Sequence, residues 1–226
     1  MLLIAASARS TVAQNEPWVK YNKAGSEALK ERRLDDAQKN LQLALQELEK
    51  AAISDSRLGD TNATLAFVYK LRKQDKRAEE LYLKALEIYE TNGGPADKIA
   101  LTLWNVGKQY SLTGKPEKVE PTFNRALTLA EKAKGPENLL LAGILRSLAD
   151  VESKQHRYSE AEAAYKRALP IYEKALGIEH WSVAATLEEY AVLLRKMNRK
   201  SEASAAEAKA KTIRGKNKNS QPYVIP

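Results

Sequence analysis

The sequence predicts an all-α protein, an α-solenoid of about five antiparallel two-helix units, and three observations carry that expectation. The pair Ala-Leu recurs as Ala44-Leu45, Ala85-Leu86, Ala126-Leu127 and Ala168-Leu169, with Ala210-Lys211 as an altered fifth copy. The steps are 41, 41, 42 and 42 residues, a fixed period of the kind that marks repeat architectures. A second apolar stripe precedes each pair, and short polar segments separate the two. No Cys and only ten Gly and eight Pro in 226 residues, with 43% hydrophobic residues, point to a chain that folds without disulfides or low-complexity tracts.

The second stripe defines the first helix of each unit, helix A. It runs Tyr21, Ala24, Gly25, Ala28; Asn62, Leu65, Ala66, Tyr69; Leu103, Val106, Gly107, Tyr110; Leu145, Leu148, Ala149, Glu152; and Leu187, Tyr190, Ala191, Leu194. Spacings of three and four residues place these side chains on one helical face. The third member is always Gly or Ala, which predicts a neighbouring backbone lying close against it. Short polar turns such as Lys30 to Asp35 and Lys154 to Tyr158 make that neighbour the following helix, antiparallel to the first.

Helix B carries Ala37, Ala78, Val119, Ala161 or Ala203 seven residues before each Ala-Leu pair, and Leu41, Tyr82, Phe123, Tyr165 or Glu207 three before it. Pro121 and Pro170 fall inside helix B of units three and four, where each removes a backbone donor, so local bends rather than breaks are expected. In unit five Glu207 and Lys211 replace apolar residues, as a terminal repeat with no outer neighbour requires.

Both ends lie outside the period. Residues 1–16 contain a short apolar run and small residues ending Thr11-Val12-Ala13, the back half of a signal segment, which favours export over a cytoplasmic location. Residues 17–214 form the array, and 215–226 a flexible basic tail. The formal charge is +8, but Lys209, Lys211, Arg214, Lys216 and Lys218 supply +5 of it with no acid among the last eighteen residues. The body is close to balanced, which makes a nucleic-acid footprint over the folded surface an unfavoured reading. Attachment of this tail to a polyanion, nucleic acid or anionic lipid, is the alternative function.

Reaction chemistry is not written in the chain. His156 and His180 stand 24 residues apart with no acids at ligand spacing, so no metal is expected. Gly93-Gly94-Pro95 lacks the Lys-Ser/Thr of a phosphate loop and reads as a helix-ending turn, so no cofactor is expected either. No pair of carboxylates is marked for acid–base work. The expectation is a protein that is not an enzyme.

The pattern is similar to that of the tetratricopeptide repeat family, most fully at Leu103, Val106, Gly107, Tyr110, Val119, Phe123 and Ala126. The resemblance spans roughly residues 18 to 213. Its long period resembles the variant of kinesin light chains and many bacterial proteins, as does the segment 167–195, with a Gly-x-Glu-His loop and an Ala-Thr-Leu helix start. Trp181 stands where that variant usually has Pro, Val119 replaces Ala and Glu152 replaces Tyr. The resemblance implies a right-handed superhelix acting as a scaffold for a protein or peptide partner.

Stacked hairpins present a concave surface lined by helix A. Residues one turn off the packing stripe are expected there: Asn22 and Lys30, Phe67 and Lys70, Trp104 and Lys108, Arg146 and Asp150, and Glu188. An extended peptide would lay side chains on Phe67 and Trp104 as exposed aromatics. Its carboxylates would sit near Lys70, Lys108 and Arg146, and a basic end near Glu188 and Glu189. Asn105 matches an Asn that, by the resemblance, hydrogen-bonds a bound peptide backbone; the other units carry Lys23, Thr64, Ser147 and Glu189 there.

Overall fold

A computed structural model describes residues 16–134 and 138–216, and among them it holds ten helices and no strand. The signal segment, apart from Glu16, and the tail beyond Lys216 lie outside the described residues. The helices are α1 (Pro17–Lys30), α2 (Leu34–Lys50), α3 (Ser56–Leu71), α4 (Asp75–Thr91), α5 (Ala96–Leu112), α6 (Pro116–Lys134), α7 (Leu139–Lys154), α8 (Tyr158–Leu176), α9 (Trp181–Lys196) and α10 (Lys200–Lys216). Odd numbers are the expected A helices and even numbers the B helices. The chain divides into two compact halves, one ending at Lys115 and the other beginning at Pro116.

Each helix pair is shaped by the same local chemistry. After every helix A one residue adopts a left-handed conformation: Arg32 (φ 58°), Lys73 (57°), Gly114 (76°), His156 (62°) and Asn198 (60°). The next residue then donates its N–H back across the turn, Arg33 to the Ala28 carbonyl at 2.8 Å, and Gln74, Lys115, Arg157 and Arg199 to theirs at 2.9 Å. These are the six-to-one bonds that close a helix end and reverse the chain. At the opposite ends, Asp55, Asn138 and His180 cap α3, α7 and α9 through their side chains. His180 accepts from the Ser182 N–H through Nδ1 at 3.2 Å, a role that requires an unprotonated nitrogen. Burial lowers the His180 pKa in the same direction.

In the first half, Ala28, Ala37, Leu41, Leu65, Ala66, Tyr69, Ala78, Tyr82 and Val106, all from the stripes anticipated from the repeat, belong to one buried cluster, which Val68 joins from outside them. At Gly25 helix B does come close, but an added Cβ would first meet the Leu41 side chain, 2.7 Å from its Cγ, with the Leu41 backbone nitrogen at 3.3 Å. Just past the end of α4 at Thr91, Gly93 turns left-handed (φ 64°) and Gly94 N–H donates to the Tyr89 carbonyl at 2.7 Å, the helix-ending turn predicted there.

In the second half, Val119, Phe123, Ala126, Ala161, Tyr165 and Ala168 are buried, and Ala191, Leu194, Ala203 and Ala206 form a further cluster. Helices α6 and α8 run unbroken through Pro121 and Pro170. In the last repeat Glu207 accepts a bidentate bond from Arg195 at 2.5 and 2.9 Å, and Lys211 is exposed. Helix α10 runs through Gly215 to Lys216.

Candidate functional site

The A helices of the first half bring four of the anticipated residues together. Lys70, near the end of α3, holds its ammonium 5.6 Å from the centroid of Phe67, and Lys108 on α5 holds its own 3.5 Å above Trp104. The two amines lie beside one another, and Lys70 forms no ion pair among the described residues. Burial pushes the Lys70 ammonium below the ordinary lysine value, against the opposing contributions of Lys108 and the more distant Asp75. A half-buried cation with no acid bonded to it is short of negative charge.

Phe67 corrects one expectation: it is 8% exposed and packs in the core cluster with Val106 of α5, rather than offering its ring to solvent. The helical offset that places it off the packing stripe takes no account of the next helix A, which covers that flank. Trp104 is half-buried beneath Lys108. Asn22 donates to Thr61 Oγ1 at 3.3 Å, linking α1 to α3, while Lys30 is exposed at the end of α1.

Beside Phe67 a cavity of about 310 Å³ opens between α3, α4 and α5. Asn105 lines it, as do Tyr82 and Tyr89 of helix B, and Lys98 binds both carboxylate oxygens of Asp60 at 2.6 and 2.7 Å at its edge. The periodicity gives Tyr82 only a packing role, and nothing in the repeat marks Asp60 or Lys98.

In the second half the anticipated residues meet partners of their own. Arg146 lies 3.5 Å from Glu189 and over the Tyr172 ring at 6.0 Å. Burial raises the Glu189 carboxyl, and Arg146 opposes that rise. Asp150 accepts from Lys154 at 2.6 Å, and Glu188 from Arg214 at 2.9 Å. Lys216 bonds Glu179, so among the described residues the tail cations Arg214 and Lys216 are both held by acids of the folded chain. Among the described residues no cluster of three or more His, Asp or Glu could hold a metal, and no helix is long and apolar enough to cross a membrane.

Antiparallel helix pairs with one left-handed closing residue per turn and a small residue at each crossing define an α-solenoid of two-helix repeats. The family model for the tetratricopeptide repeat matches residues 57–132, 98–174 and 140–216. The chain belongs to the tetratricopeptide repeat family, whose members are generally non-catalytic protein-interaction scaffolds. No curated protein matches it in sequence. Among solved structures it is similar to BtubC from P. vanneervenii, at 18% identity over 95% of this chain and 96% of that one, with a TM-score of 0.67. It is also similar to the nearly identical repeats of a putative kinesin light chain from Podosopora anserina, at 16% identity over 89% and 96%, TM-score 0.68. A third likeness is to YrrB, a tetratricopeptide repeat protein with an unusual peptide-binding site, at 16% identity over 92% of each chain, TM-score 0.58. At these identities the likeness establishes the fold.

Proposed function

We propose that this chain is a non-catalytic adaptor that captures an acidic segment of a protein partner along the A-helix face of its first half. The observation that carries the reading is the pair Lys70 and Lys108, two neighbouring cations stacked on Phe67 and Trp104. An incoming carboxylate supplies Lys70 with an anionic partner and replaces the water that burial has removed from it. Asn105, one residue after Trp104, offers an amide to a peptide backbone. A fold shared with a protein described by its peptide-binding site supports the reading. Attachment through the basic tail is the weaker alternative, because Arg214 and Lys216 are already paired with Glu188 and Glu179.

Selection of displayed random peptides on the purified full chain tests this. The expected result is enrichment of Asp- and Glu-containing sequences, lost in a Trp104→Ala, Lys108→Ala double variant and turned toward basic sequences by Lys70→Glu. Enrichment of nothing, or of peptides indifferent to all three residues, overturns it.

A further inference from the structure

Lys70 is a base without an acid, and its place in the period shows why. Three periods on, the same position of helix A holds Arg195, which donates to Glu207 of its partner helix at 2.5 and 2.9 Å. In the second repeat the place of that acid is taken by Tyr82, a buried core side chain. Nor does packing demand a base there: the third and fourth repeats carry Ser111 and Ser153. Lys70 is therefore left half-buried on α3, its nitrogen 5.6 Å from the centroid of Phe67, with the amine of Lys108 as its hydrogen-bond partner.

That partnership fixes the chemistry. An ammonium has three donors and no acceptor, so two lysines form a hydrogen bond only when one of them has released its proton. Lys108 keeps its charge, which sits 3.5 Å above the Trp104 ring, where a cation is favoured. It is Lys70 that releases the proton: burial takes away its water and favours the uncharged amine, and Lys108 and Asp75 oppose this only in part. A lysine desolvated beside a second cationic group is the arrangement that turns an amine into a nucleophile. The charge on Lys108 also selects the electrophile. A carbonyl carbon must come within reach of Lys70, and a leaving group beside Lys108 is best an anion. An acyl phosphate carries both in one small molecule.

We propose that Lys70 is a site of acylation by acyl phosphates, the Lys108 ammonium holding the phosphate while the uncharged amine of Lys70 attacks the carbonyl carbon. The nitrogen lone pair forms the N–C bond. The C–O bond to the phosphate breaks, its electron pair leaves on the phosphate, and the departing phosphate takes the amine proton. The products are an amide and inorganic phosphate. The amide carries no charge, so the acylated chain has no Lys70 cation to offer a carboxylate and capture is switched off. That consequence rests on the acidic-segment reading; the acylation itself does not.

Acetyl phosphate and the uncharged ester p-nitrophenyl acetate, each applied to the purified full chain, test this, with acetylation at every lysine followed by peptide mass spectrometry. With acetyl phosphate, Lys70 is expected to react several-fold faster than the exposed lysines Lys39, Lys76 and Lys84, which serve as internal references. Lys108→Met is expected to slow acetylation of Lys70 by acetyl phosphate about tenfold more than by the ester, the worth of one charged contact to the phosphate. Rates at the three references should not move, which shows that the variant is folded. Acetylation of Lys70 no faster than at the references, or an equal loss for the two reagents in the Lys108 variant, overturns the proposal. Acidic peptides selected on the full chain are expected to lose their binding to chain acetylated at Lys70, and binding that survives acetylation overturns the switch. Enrichment of no peptide overturns the acidic-segment reading alone, because the acetylation rates do not depend on it.

Discussion

The guanidinium of Arg199 donates to the Glu162 carboxylate at 2.8 Å, joining the turn before α10 to helix α8 of the preceding repeat. The relationship recurs along the chain: Arg157 donates to Glu120 at 2.5 Å and Lys115 to Glu79. The acids lie 41 and 42 residues apart and the bases 42 and 42, so this is one ion pair repeated with the architecture. It ties each of these B helices to the turn of the next repeat.

Acid should weaken that tie. Arg199 first, then Lys166 at 2.7 Å and the Tyr190 hydroxyl at 2.9 Å, hold the Glu162 carboxyl at about 2 against a usual 4.5, with burial opposing. Because the folded value lies below the unfolded one, the stabilisation is fully present above about 4.5 and is lost as pH falls from there toward 2. Urea midpoints measured along this range should fall for the parent chain and fall less for Glu162→Gln. At neutral pH the variant should be less stable by about 1–2 kcal/mol, discounted for the partial exposure of Arg199. Parallel curves for the two proteins would remove Glu162 from the acid response.

The first junction lacks this rung. One period earlier, the acid's place is held by Gln38 and the base's by Gln74, and Gln38 Oε1 is buried with no partner among the described residues. Installing the pair as Gln38→Glu with Gln74→Lys should stabilise the chain by about 0.5–1 kcal/mol. The single change Gln38→Glu should destabilise it, since a buried carboxylate without a cation is costly. A double-mutant cycle read by urea denaturation checks this, and a coupling energy near zero counts against the rung as a stabilising device.

How far the sequence reaches follows from where the information lies. Packing positions repeat along a single helix, so the period alone marks Ala37, Ala78, Ala161 and Ala203 as buried, and all four are. The Glu162–Arg199 pair crosses from one repeat to the next, 37 residues away, and emerges only when the period is applied to polar positions as well. Phe67 escapes the pattern for a related reason: a helical wheel records the angle of a side chain but not the neighbour lying over it, and Val106 of α5 belongs to the cluster that takes in its ring. The cavity is illegible in the sequence because Tyr82 occupies a position whose period reads as core. Only the missing partner of its hydroxyl distinguishes it from Leu41.

Gln109 on α5 is another polar group in an apolar register. It is 0% exposed, and both its amide oxygen and nitrogen lack partners among the described residues. The same position in other repeats is Val68, Val151 and Leu193. Gln109→Leu removes two unbonded polar atoms while nearly conserving volume, and should raise stability by about 1 kcal/mol, a rise of roughly 2–4 °C in Tm. A lower Tm in calorimetry would show that the amide has a bonding role.

The turns make the last prediction. A left-handed conformation costs an ordinary side chain about 1–2 kcal/mol and glycine almost nothing, yet of the five closing residues only Gly114 is glycine. Lys73, at φ 57°, is exposed and forms no ion pair among the described residues, so Lys73→Gly sacrifices no contact. Glycine's larger unfolded-state entropy offsets about 0.5–1 kcal/mol of the relief. The net gain for Lys73→Gly is then about 0.5 kcal/mol. The reverse change, Gly114→Ala at φ 76° with nothing within 4 Å of the added carbon, meets no clash and isolates the backbone effect. It should lose about 1 kcal/mol by urea denaturation at constant m-value. If both variants move in the same direction, the left-handed conformation is not what governs stability at these turns.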